Sequence, residues 1–100
     1  TGGFRGDPTR LVNVLKWISA GPKVRIVLVN IFAGITDLGE FSRLLVEAMG
    51  RVPGFKLPVV ARLAGNGLAA AREVFAGAGI ALYTDLDEAV AEVRRRLEVA

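Results

Sequence analysis

The residues best placed to do chemistry lie in the run Asn30-Ile31-Phe32-Ala33-Gly34-Ile35-Thr36-Asp37-Leu38-Gly39-Glu40. An apolar segment, Val24 to Val29, leads straight into it, and a helical pattern starts inside it. The first backbone N–H groups of a helix have no partner within the helix and point outward, where a phosphate or carboxylate can accept them. Gly34 exposes no Cβ to an approaching ligand. The structural alternative is a plain helix start, with Thr36 or Asp37 as the capping residue.

Other chemistries are removed by composition. The chain has 100 residues and no cysteine, which excludes disulfides, thiolate catalysis and cysteine-bound metals. It has no histidine, and so lacks the commonest general base and metal ligand. The net charge of +3 arises from 13 basic and 10 acidic residues interspersed along helical segments, which does not mark a nucleic-acid-binding surface. Arg94-Arg95-Arg96 is the one basic run; Glu92 and Glu98 flank it while Val93 and Leu97 fall at inward helical spacing, so it reads as a solvated face. Asp85 with Asp87, and Asp37 with Glu40, read as helix-start acids and not as metal ligands. No segment reaches the roughly 18 apolar residues that span a bilayer, and no signal-peptide pattern opens the chain. The expectation is a soluble, cytoplasmic protein without membrane or nucleic-acid partners.

The elements that must position the turn can be read from periodicity. With 52% hydrophobic residues the chain can fill the core of one domain over residues 1–100. Asp7 suits an N-cap and Pro8 a first helical position, followed by Leu11, Val14, Leu15 and Ile18 on one helix face; Gly21-Pro22 stops that helix. Val24 to Val29 reads as a strand covered on both faces. A second helix starts near Thr36 or Asp37 and buries Leu38, Phe41, Leu44, Leu45 and Met49. Val59 to Leu63 is a second strand, and Gly65-Asn66-Gly67 turns into a third helix bearing Leu68, Ala71, Val74, Phe75 and Ala78. Ile80 to Tyr83 is a short strand, and Thr84 or Asp85 caps a last helix that buries Leu86, Ala89, Val90, Val93 and Leu97. Trp17 and Tyr83 read as packing groups. Alternation of this kind predicts an α/β fold, a parallel sheet with helices on both faces.

The strings Lys23-Val24-Arg25-Ile26-Val27-Leu28-Val29-Asn30-Ile31-Phe32-Ala33-Gly34-Ile35 and Pro58-Val59-Val60-Ala61-Arg62-Leu63-Ala64-Gly65-Asn66 resemble the C-terminal CoA-ligase domain of the succinyl-CoA synthetase β subunit family. The resemblance is collinear from Gly2-Gly3 to Thr84-Asp85. It departs at Ala33, where the family usually has a second glycine, at Asp37-Leu38, where it usually has an arginine, and at Ala64, where it frequently has a glutamate. The resemblance implies a three-layer flavodoxin-like sheet whose first strand precedes Thr1, and hence a fragment of a longer β chain. It implies a part in an ADP- or GDP-forming acid–CoA ligase of the tricarboxylic acid cycle type, acting on succinate, malate or citrate. The backbone of Gly34, Ile35 and Thr36 would face a phosphate carried on a histidine of the α subunit, and the carboxylate substrate. CoA, ATP or GTP, and Mg would serve the whole enzyme, with none bound by this domain alone. The partners implied are the α subunit and an upstream ATP-grasp region. A non-catalytic flavodoxin-like binding or interaction module is the alternative.

Overall fold

The computed structural model describes residues 8–33 and 37–99. Its elements, in chain order, are α1 (Thr9–Ser19), β1 (Val27–Ala33), α2 (Leu38–Arg51), β2 (Val59–Gly65), α3 (Leu68–Ala78), β3 (Ala81–Tyr83) and α4 (Leu86–Val99). The three strands form one sheet in the order β1-β2-β3, and both pairs are parallel. This is the expected α/β architecture, consistent with a flavodoxin-like fold. Asp7, proposed as the first cap, lies outside the described residues.

The first strand sits three residues later than its hydrophobic run suggests, at Val27–Ala33 and not Val24–Val29. Pairing explains the offset. The Val27 N–H donates to the Pro58 carbonyl at 3.0 Å, and Pro58 has no N–H with which to extend the ladder upstream. At the other end β2 runs on to Gly65, so the register Val27↔Val59 carries through to Ala33↔Gly65 and draws Asn30 to Ala33 into the strand. Only the β2 side of β1 is paired among the described residues.

Strand side chains alternate between faces, and the helices divide accordingly. Val59, Ala61 and Leu63 enter the main cluster with Leu15 of α1, Leu38, Phe41 and Leu45 of α2, and Ala71 and Phe75 of α3. On the opposite face α4 packs across all three strands, where Val60 and Ala89 are fully buried outside that cluster. Burial on β1 is one-sided, contrary to the expected two-sided cover: Leu28 and Phe32, which share the α4 face, are 38% and 78% exposed. Trp17 is also corrected. It stands 82% exposed, because α1 leans on α2 through Leu15 and a position two residues on points about 200° away around the helix.

The basic run near the C-terminus is solvated at Arg94 and Arg95, as expected, but its flank at Glu92 differs. Glu92 is buried, not a solvated flank, because it stands three residues after fully buried Ala89 on the helix stripe that meets the sheet. It accepts from Arg95 Nε at 3.0 Å, Arg95 Nη2 at 2.6 Å and Arg96 Nε at 2.6 Å. These bonds, Arg95 first and Arg96 second, hold its carboxyl down at about 2 against the opposing effect of burial. A depressed folded-state value means stability that is complete above the unfolded glutamate value, roughly 4.3, and that disappears as pH falls toward 2. Urea unfolding of the native chain and Glu92→Gln at stepped pH should show a gap in midpoint that is constant above about pH 5 and closes on further acidification. A gap that persists at pH 2 would contradict the pairing.

Candidate functional site

Parallel sheets of this class collect ligands outside the carboxyl ends of their strands. On this rim lie the connections from β1 to α2, from β2 to α3 and from β3 to α4. Gly34, Ile35 and Thr36 belong to the first of these and fall outside the described residues, between Ala33, paired with Gly65, and Asp37.

Asp37 is the N-cap of α2. Its backbone is extended, with φ −74° and ψ 122°, and its Oδ1 accepts from the Gly39 N–H at 2.7 Å. The Leu38 N–H donates to the Asn66 carbonyl of the β2–α3 connection at 2.9 Å, and the Phe41 N–H begins the helical ladder on the Asp37 carbonyl at 3.0 Å. Two donors of the first turn, those of Leu38 and Gly39, are therefore satisfied within the chain. An anion at this turn would therefore not draw on the Leu38 and Gly39 N–H groups.

The starts of α2 and α3 are pressed together. Gly67, the residue before α3, takes φ +84°, and a Cβ placed on it would lie 2.1 Å from Asp37 Oδ1. A Cβ on Gly39 would come within 2.8 Å of Ala70 Cβ. The connection Gly65-Asn66-Gly67 thus has the structural role expected of it: it holds α2 through the Asn66 carbonyl and leaves room for the Asp37 carboxylate.

On the α4 side, one row crosses the sheet: Asn30, Arg62 and Tyr83 are register partners on β1, β2 and β3. Arg62 Nε donates to the Thr84 carbonyl at 2.9 Å, and Nη1 to Asn30 Oδ1 at a longer 3.4 Å. Sequence alone gives Arg62 no role beyond its place in its string, and Asn30 none beyond its place at the head of the candidate run. Their shared parity on adjacent strands was a usable signal only once the register was known. Asp85 caps α4, its Oδ1 accepting from the Asp87 N–H at 3.2 Å. Among the described residues no three His, Cys, Asp or Glu side chains are grouped to hold a metal ion, and no helix is long and apolar enough to cross a membrane.

The order of elements, the parallel ladder and the helix starts gathered on one rim define an open three-layer α/β domain. The family model for CoA-ligase matches residues 1–96, and the chain belongs to this family. It is 36% identical over 100 residues to a succinate–CoA ligase [ADP-forming] subunit beta of Ignicoccus hospitalis, covering 99% of this chain and 26% of the relative. A protein of the same description from Gemmatimonas aurantiaca is 35% identical over 98 residues, covering 98% of this chain and 25% of that one. The mitochondrial succinate–CoA ligase [GDP-forming] subunit beta of Caenorhabditis elegans is 34% identical over 82 residues, covering 80% of this chain and 20% of that protein. The chain spans about a quarter of the length of the first relatives it matches.

Proposed function

We propose that this domain works within the β subunit of a nucleoside diphosphate-forming acid–CoA ligase, most similar to succinate–CoA ligase, together with an upstream ATP-grasp region and an α subunit. The whole enzyme would interconvert carboxylate, CoA and nucleoside triphosphate with acyl-CoA, nucleoside diphosphate and phosphate. This domain would bring an anion cradle, the backbone of Gly34, Ile35 and Thr36 with the Thr36 hydroxyl, and a surface for the α subunit. Amide bonds to a charged oxygen are each worth about 1.5–3 kcal/mol, and the helix end adds the field of roughly half a unit charge. CoA, ATP or GTP, and Mg would serve the rest of the enzyme, and the phosphoryl-carrying histidine would come from the α subunit, since this chain has none.

The observation that supports this reading is the match of 99% of this chain to about a quarter of a β subunit, with Asn30-Ile31-Phe32 in the carboxyl half of β1. The alternative, a non-catalytic flavodoxin-like interaction module, draws on the fact that Asp37 and Asn66 satisfy the first donors of α2 without any ligand. Carboxylate- and CoA-dependent nucleotide hydrolysis separates the two. The 100-residue chain should show none alone, and the full-length β chain co-expressed with a histidine-bearing α chain should show turnover. Turnover by the isolated chain, or a full-length chain that associates with no α-type partner, would reject the ligase reading.

A further inference from the structure

We propose that Arg62 and Asn30 form a receptor for an oxyanion, a carboxylate or a phosphoryl group, on the α4 side of the sheet and separate from the turn at 34–36. Arg62 lies on the middle strand and is half-buried. Its bonds go to the Thr84 carbonyl and the Asn30 amide oxygen, both neutral acceptors. Among the described residues no carboxylate comes within 4.0 Å of its guanidinium, whereas Arg95 and Arg96 share Glu92 and Arg51 has Glu47. An arriving anion would give this guanidinium a charged acceptor where it now has only neutral ones.

The donors are already aimed. Arginine donates and never accepts, so it draws the Asn30 amide oxygen toward itself and leaves the Asn30 Nδ2 hydrogens for another acceptor. Arg62 Nη2 makes no bond among the described residues. The result is a planar fork flanked by a second donor, which suits the two oxygens of a carboxylate or phosphoryl group. Position supports the assignment, because β3 ends at Tyr83 and the row therefore stands at the carboxyl end of the β2–β3 ladder. Nothing in this inference rests on the ligase reading.

The test is NMR of the full chain with labelled arginine and asparagine side chains, titrated separately with inorganic phosphate and with acetate. The Arg62 Nε and Asn30 Nδ2 resonances should move saturably with at least one of them, and the more effective anion identifies the ligand class. Arg25, which is exposed and bonds the Leu97 carbonyl at 3.1 Å with no asparagine amide joined to it, should not move. Arg62→Gln should abolish the response. Asn30→Asp, which places a carboxylate against Arg62, should weaken binding about tenfold or more while holding or raising the urea midpoint. That combination would not follow from a purely structural role. No saturable shift in the native chain, or undiminished binding by a folded Asn30→Asp variant, would overturn the proposal, whatever the outcome for α-subunit-dependent turnover.

Discussion

Gly67→Ala is expected to destabilise the domain by about 2–4 kcal/mol, a large fraction of the roughly 5–15 kcal/mol that holds a domain folded. Two costs combine. An L residue at φ +84° forfeits about 1–2 kcal/mol of backbone energy. The new methyl would also fall 2.1 Å from Asp37 Oδ1 and drive the carboxylate off the Gly39 N–H, removing an N-cap worth about 1 kcal/mol. For a chain of this size the melting temperature should fall by roughly 10–25 °C. A double-mutant cycle with Asp37→Ala isolates the second cost. Asp37→Ala should be destabilising in the native background and nearly neutral beside Gly67→Ala, where the cap is already lost. Strictly additive losses would show that the starts of α2 and α3 are not coupled through this carboxylate.

Gly34→Val should reduce acyl-CoA formation by the reconstituted enzyme by about a hundredfold or more, the usual penalty for losing a backbone donor to a developing charge. A branched side chain there would hold a phosphate away from the amides. The fold should tolerate the change. The segment enters from Ala33, paired with Gly65, and leaves into Asp37, bonded to Gly39, so both flanks are fixed by contacts outside it. Unchanged urea unfolding with lost turnover, and with lost phosphate-induced shifts of the amides at 34–36, is the expected pattern. Activity within a few-fold of the native enzyme would dismiss the anion cradle.

Much of this architecture is legible in local sequence, because its causes are local. The apolar stripes of α2 and α3 fall at helical spacing, Asp37 and Asp85 cap where their types suggest, and Val59, Val60, Ala61 and Leu63 are apolar because both sides of their strand are covered. The misreadings share a different origin. The bounds of β1 depend on where Pro58 halts the ladder, a fact held on another strand. Trp17 looks like a core residue until the direction of α1 relative to α2 is known. Glu92 looks like surface until α4 is laid on the sheet, and Arg62 meets Thr84 and Asn30 only through inter-strand register. At the site itself, sequence separated the two readings of the turn without deciding between them. The cap at Asp37 rests on its bond from the Gly39 N–H, and Gly34→Val tests the proposed cradle.

The one-sided pairing of β1 bears on how this chain behaves in a test tube. Val27-Leu28-Val29-Asn30-Ile31-Phe32-Ala33 is uncharged, free of proline and rich in β-branched and aromatic residues, the composition of segments that stack into cross-β fibrils. Its backbone is paired on one side only among the described residues, and Phe32 stands in solvent beside that margin. Handled in isolation at high concentration, the chain carries a template for misassembly in the same strand that leads toward the proposed anion cradle. Colloidal behaviour and function therefore meet in a single stretch of sequence, where a charged gatekeeper residue introduced for solubility would stand within a few residues of the proposed chemistry.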